Sequence, residues 1–288
     1  MSAPLIGLVA HTGKAGALAM AARLRDEFRK QGAAVRLESR TSEMIGAGEG
    51  ESIGSLAMEC EIVVALGGDG TILQVVHEMG EEFKPIFGIN LGSLGFLTCV
   101  SSSAVEQAVE CIVSRRYVKT QRILLEMEVR RADMTIARRI GLNDAVISRG
   151  GLSRLIRLQT WIDGAALTEY NADGLVISTP TGSTAYSLAA GGPILTPDCG
   201  VFAVTPICPH VLTNRSLIFS DNSTIAVSPC ENQGEIYVTV DGQESMALST
   251  GDMVCIRKAK QCVPLAMLPG VSFFEVLRQK LKWSGTAL

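Results

Sequence analysis

The chain runs from an apolar stretch straight into a turn of glycines and one acid at residues 63 to 72, VALGGDGTIL. Gly67, Gly68 and Gly70 let a backbone approach a ligand closely, and Thr71 has a hydroxyl that can cap a helix or meet a phosphate oxygen. Asp69 is the discordant member, because a carboxylate beside phosphates costs Coulomb energy unless something offsets it. It could cap the following helix, hold a divalent cation that bridges phosphates, or take the proton of a hydroxyl that attacks a phosphoryl group. The last two belong to phosphoryl transfer.

A second stretch, NADGLVISTPTGSTAYSLAAGGPI at 171 to 194, again opens an apolar strand into a Gly/Ser/Thr loop. Hydroxyls at Thr181, Ser183 and Thr184 suit phosphate or ribose, and Tyr186 offers an aromatic face for a base. Between the two stretches, Asn143 and Asp144 supply an amide and a carboxylate able to bracket ribose hydroxyls, although Asn-Asp alone is most often a turn. Arg154 could meet a phosphate or pack over a base. No G-x-x-x-x-G-K-[ST] occurs; HTGKAG at 11 to 16 has Gly-Lys without the spacing, so this is not a P-loop enzyme.

Composition narrows the field. The 26 basic against 29 acidic side chains leave a formal charge of -3, which argues against broad nucleic-acid binding. Eight cysteines without a C-x-x-C pair, and three histidines without ligand spacing, speak against structural zinc and read as reduced, mostly buried thiols of a cytoplasmic protein. The longest apolar runs are too short to span a bilayer, and His11 and Lys14 interrupt the apolar N-terminus, so neither membrane span nor signal peptide is expected.

The elements that must position these residues follow from periodicity. LIGLVA (5 to 10), EIVVAL (61 to 66) and KPIFGIN (84 to 90) read as strands, with helical spacing at 14 to 32 and 71 to 79. Ser103 with Glu106 has the spacing of a capping box for one more helix. Strands alternating with helices predict a Rossmann-like three-layer α/β domain with a parallel sheet over residues 1–118. From about residue 120, period-two segments predict a β-rich, sandwich-like domain over 119–270, with hairpin dipeptides at Asp163-Gly164 and Asp241-Gly242. Residues 271–288 contain a helical stretch expected to fold back on the first domain.

Together these segments resemble the bacterial NAD kinase family. The resemblance is carried by GGDGT at 67 to 71, NLGSLGFLT at 90 to 98, Asn143-Asp144, the block at 172 to 194, PHVLTNRSL at 209 to 217, DGQ at 241 to 243 and LRQKLKW at 277 to 283. It implies that ATP and NAD meet between an α/β and a β-rich domain, and that Asp69 takes the proton of the adenosine ribose 2′-hydroxyl as that oxygen attacks the γ-phosphate. It further implies dinucleotide contacts from Asn143 and Asp144, with Asp144 one methylene shorter than the commoner glutamate. Asn171, Asp173, Thr184, Ala185, Tyr186, Ser187, Leu188, Ala189 and Gln243 are expected in the same pocket, and Asn90 with its loop near the phosphates. Mg2+ with ATP, and a homotetramer or dimer, are implied likewise. GGDGT-like turns also occur in lipid and sugar kinases, and a non-catalytic NAD(P) sensor would use the same pocket; both stand as alternatives.

Overall fold

The computed structural model describes residues 3–80, 82–92, 95–98, 100–132, 134–151, 155–211, 213–230 and 234–283. The chain divides into two compact units, one made of residues up to Gln121 together with those from Val263 onward, the other of Arg122–Cys262.

The first unit runs β1 (Leu5–Ala10), α1 (Ala17–Lys30), β2 (Ala34–Leu37), α2 (Ser39–Met44), α3 (Ile53–Glu59), β3 (Ile62–Gly67), α4 (Asp69–Glu78), β4 (Ile86–Asn90), β5 (Val100–Ser101) and α5 (Val105–Val113). Its strands are parallel in the order β4-β3-β1-β2, with β5 beside the end of β4. Strands buried on both faces read as continuous apolar runs, and β1 and β3 have this pattern. On one face Ile6, Leu8, Ile62, Val64 and Phe87 pack with Leu24 and Phe28 of α1 and Val109 and Ile112 of α5. On the other, Gly7 lies against Leu56 of α3 and Gly88 against Ile72 of α4, completing three layers. The register sets Ala10 beside Leu66 and Gly67 beside Asn90, so the loops leaving β1, β3 and β4 emerge together at the carboxyl ends of the strands. Ligands approach open α/β sheets at that edge.

A 3-10 turn occupies 102–104 and leads into α5. The capping box expected at Ser103 depends on a side chain that lies outside the described residues. Burial of Val105, Ala108, Val109 and Ile112 holds the helix to the core.

The second unit contains β6 (Val118–Arg131), β7 (Met134–Gly141), β8 (Asp144–Arg149), β9 (Ile156–Ile162), β10 (Ala165–Ala172), β11 (Gly174–Ser178), α6 (Tyr186–Ala189), β12 (Val201–Ile207), β13 (Leu217–Ser220), β14 (Ile225–Pro229), β15 (Ile236–Val240), β16 (Met246–Leu248) and β17 (Met253–Met267), with the ends of β6 and β17 belonging to the first unit. One sheet is ordered β10-β9-β14-β17, with β6 joining β17 to β7; the other is ordered β13-β12-β11-β8-β15-β16. Inward residues of both sheets, among them Leu125, Leu158, Val227 and Val254 from the first and Ile147, Ile177, Phe202 and Val238 from the second, share one core. That is the expected sandwich. Asp163 and Gly164, both at positive φ, form the two-residue turn between β9 and β10.

The chain re-enters the first unit at Val263, earlier than the expected boundary at 270, because Leu265 and Ala266 of β17 pair in parallel with Ile86 and Phe87. A last helix, α7 (Phe273–Leu281), follows within that unit and buries Val276 and Leu277. The seven described cysteines are free thiols, but only Cys60 and Cys111 are buried and Cys208 is exposed, so they are less buried than composition suggested. Among the described residues no helix is long and apolar enough to cross a membrane.

Candidate active site

In the first unit the site is built where β3 ends. Gly67 closes the strand, Gly68 is the N-cap and Asp69 is the first residue of α4. Buried Thr71 turns its hydroxyl back to accept the N–H of Gly68 at 3.3 Å, so it serves the turn itself. The carboxylate of Asp69 does not cap its own helix. Oδ2 accepts the N–H of Phe96 at 2.9 Å, and Oδ1 accepts those of Leu97 and Thr98 at 3.1 and 3.3 Å. A Cβ on Gly95 would lie 1.9 Å from Oδ1, so only glycine allows this approach. The loop expected near phosphates therefore spends three of its N–H groups on Asp69.

Asn90 ends β4, and its amide binds both ends of the same loop. Nδ2 donates to Thr98 Oγ1 at 3.0 Å, and Oδ1 accepts the N–H of Gly92 at 2.7 Å. Lys14, from the loop after β1, donates from Nζ to the carbonyl of Gly67 at 3.0 Å. A cation thus sits on the glycine turn without belonging to a P-loop. Sequence spacing discards it, since 53 residues separate the partners and only the pairing of β1 with β3 brings them together.

In the second unit, Asn143, Asp144, Val146, Ser148, Ala185, Tyr186, Thr239, Asp241 and Gly242 line a cavity of about 390 Å3. Its floor is a locked corner at the start of β8. The Asp241 carboxylate accepts the N–H groups of Leu142, Asn143 and Asp144 at 2.7, 2.7 and 3.0 Å. Thr179 donates its hydroxyl to the Leu142 carbonyl at 2.6 Å and its N–H to the Asn143 carbonyl at 2.9 Å. Asp144 is 4% exposed. Burial, reinforced by the facing Asp241 charge, pushes its carboxyl up to about 7.

The segment after β11 divides. Ala185 and exposed Tyr186 reach the cavity. Ser183 is buried, donates to the Pro180 carbonyl at 2.7 Å and accepts the N–H of Leu195 at 3.0 Å; Thr184 donates to the Thr181 carbonyl at 3.2 Å. Their hydroxyls hold the turn rather than stand open. Ser187 is buried against Thr205, whereas buried Thr181 has an Oγ1 without a partner among the described residues. Leu188 and Ala189 complete α6. Asn171 is the next-to-last residue of β10 and its carbonyl accepts the N–H of His210. Asp173 is bound by Arg149, Nε to Oδ1 at 2.6 Å, a partner the sequence reading did not single out. Exposed Gln243 lies in the turn after β15, and Arg154 lies outside the described residues.

Mg2+ is the implied companion of the triphosphate. Among the described residues no three ligating side chains gather into a metal site, and both oxygens of Asp69 already accept N–H groups. With this donor set among the described residues, an ion brought with the nucleotide would be held mainly by phosphate oxygens and water, as Mg2+ with nucleotides commonly is.

Comparison with known proteins bears on the whole chain. A family model described as ATP-NAD kinase N-terminal domain matches residues 6–117, and one described as ATP-NAD kinase C-terminal domain matches 142–268. The NAD kinase of Syntrophotalea carbinolica is 40% identical over 279 residues, covering 96% of this chain and 98% of that protein. The NAD kinase of Solibacter usitatus is 38% identical over 277 residues, covering 96% of each. Among solved structures, yeast NADH kinase complexed with NADH aligns with a TM-score of 0.90 at 24% identity, over 100% of this chain and 90% of that one. An NAD kinase from Archaeoglobus fulgidus in complex with ATP aligns at 0.76 and 23%, over 98% and 100%. At those identities the structural likeness speaks to the fold.

Proposed function

We infer that this chain, which belongs to the ATP-NAD kinase family, transfers the γ-phosphoryl group of ATP to the adenosine ribose of NAD and so makes NADP. The reading is carried by Asp69, a carboxylate anchored in the glycine turn at the carboxyl edge of a parallel sheet. The 2′-oxygen of the ribose forms the new bond to phosphorus, the bond from phosphorus to the β,γ-bridging oxygen breaks, and ADP leaves with that electron pair. The hydroxyl proton passes to Asp69. A ribose hydroxyl is far less acidic than a carboxylic acid, so this transfer occurs late, as charge moves onto the phosphoryl group.

Lys14 on the Gly67 carbonyl supports the same reading by placing positive charge beside a turn that would otherwise present only Asp69 to phosphates. Mg2+ brought with ATP would neutralise phosphate charge when bound. The cavity beside Asn143 and Asp144 has the size of small-ligand sites and offers an amide, a carboxylate and the Tyr186 ring to a nucleoside. A cytoplasmic homo-oligomer, dimer or tetramer, completes the proposal; sedimentation at working concentration tests it.

Incubation with ATP and either NAD or diacylglycerol, read by product mass, decides the acceptor. Phosphorylated NAD is expected; phosphorylated lipid would point to a lipid kinase, and NADP binding without transfer to a sensor. Asp69→Asn is expected to fold and bind NAD while losing most turnover, at least about 100-fold as is typical for general bases. Turnover equal to wild type would remove the general-base role.

A further inference from the structure

The residues around Asp69 hold its carboxylate unequally. Oδ1 accepts the N–H groups of Leu97 and Thr98, and the Thr98 hydroxyl lies 3.5 Å from it; Oδ2 accepts the N–H of Phe96. The Thr98 hydroxyl is 1% exposed in residue terms and already accepts two hydrogen bonds, from Asn90 Nδ2 at 3.0 Å and from the N–H of Gly95 at 2.8 Å. A hydroxyl has two lone pairs and one proton, so its lone pairs are filled and its proton is left to point at Asp69 Oδ1. At 3.5 Å that last contact is long; it directs more than it binds. Among the described residues, the oxygen with lone-pair capacity to spare is Oδ2, which accepts one hydrogen bond.

We propose that Thr98 is a positioning residue: with Asn90, Gly95 and the N–H groups of Leu97 and Thr98 it pins Asp69 Oδ1, while Oδ2, which accepts only the N–H of Phe96 among the described residues, is the oxygen that receives the substrate proton. The loop from Gly95 to Thr98 is then a carboxylate clamp. Gly95 is part of the device, since any Cβ there occupies the place of Oδ1. Phe96 is braced from outside by Phe273 of α7, their ring centroids 6.2 Å apart. The inference depends on Asp69 being the base, as argued above, and adds what aims it.

Thr98→Val keeps the shape and removes the hydroxyl; Thr98→Ser restores the hydroxyl. With NAD and ATP as substrates, Thr98→Val should lower kcat by about 3- to 10-fold, because it removes the acceptor that anchors Asn90 Nδ2 and the Gly95 N–H beneath Asp69, while KM for each substrate stays within about twofold. Thr98→Ser should recover most of the rate. On an Asp69→Asn background Thr98→Val should cost nothing more, because its effect passes through the carboxylate. A wild-type kcat in Thr98→Val, a change confined to KM, or full additivity with Asp69→Asn would each overturn the clamp. Should Thr98→Val fail to fold, Thr98→Ala carries the same expectations. A crystal structure of the wild-type protein in which Asp69 does not meet the N–H groups of 96–98 would overturn it whatever the kinetics. A wild-type protein that leaves NAD unphosphorylated would instead refute the proposed function.

Discussion

Asp144 is the residue whose environment is most at odds with its charge. It is nearly fully buried, faces the Asp241 carboxylate, and holds its proton up to about pH 7. Its folded pKa stands above the unfolded value near 3.8, so the sign of its linkage to stability is fixed. Below pH 4 both states are protonated and nothing is lost; between about 4 and 7 only the unfolded chain ionises, and stability falls as pH rises. Above 7 the full cost, up to about 4 kcal/mol, is in place. Asp144→Asn should therefore raise the melting temperature at pH 8 and leave it almost unchanged at pH 4. Binding runs the other way if the carboxylate accepts ribose hydroxyls. NAD affinity should then weaken as pH falls below 7, by at most about tenfold per unit, which calorimetry at pH 6 and 8 would read. No change in affinity between those values would remove Asp144 from ribose recognition.

At the scale of elements, the corner that presents Asn143 and Asp144 depends on three separate segments meeting backbone to backbone. A Cβ added to Gly182 would stand 2.0 Å from the Asn143 carbonyl oxygen and 2.4 Å from its carbon, contacts that no side-chain rotation relieves. Gly182→Ala should cost about 3 kcal/mol or more, read as a lower urea midpoint, and should raise KM for NAD more than KM for ATP. A midpoint equal to wild type would mean that the corner yields freely. The same corner marks the limit of what can be read from sequence. Asn143 and Asp144 stand out by type, and Asp241 by its place in an Asp-Gly turn, which the positive φ of both residues bears out. Nothing local shows that the Asp241 carboxylate crosses about a hundred residues of chain to hold the backbone at 142–144, because that contact exists only once β15 pairs with β8. Lys14 was passed over for the same reason. Ser183 and Thr184 failed in the opposite direction: their hydroxyls look available in sequence, but short turns consume such groups locally. The strands β1, β3 and β4 and the helices α1 and α4 are legible because their periodicity is local, whereas β2, α2 and α3 are too short to display a period of their own.

At the scale of the whole molecule, the chain leaves the first unit at Gln121 and returns at Val263, so the parallel sheet is finished only after the second unit has been traversed. Leu265 and Ala266 pair with Ile86 and Phe87 of β4, and α7 then covers the same unit, burying Val276 and Leu277 and setting Phe273 against Phe96. The C-terminal helix thus reaches the loop that holds Asp69, which gives a remote segment leverage on turnover. Truncation after Gly270 removes two buried aliphatic side chains, each worth about 1.5–3 kcal/mol as an upper estimate, together with the ring that braces Phe96. The truncated protein should lose about 3–6 kcal/mol of stability in the first unit and most of its turnover. Hydrogen exchange should locate the loss. Protection is expected to fall at β4 and at 95–98, while the amides of 142–144, held by Asp241, keep theirs. Uniform loss across both groups of amides would mean that the two units unfold as one; unchanged protection at 95–98 would show that α7 does not support the Asp69 loop.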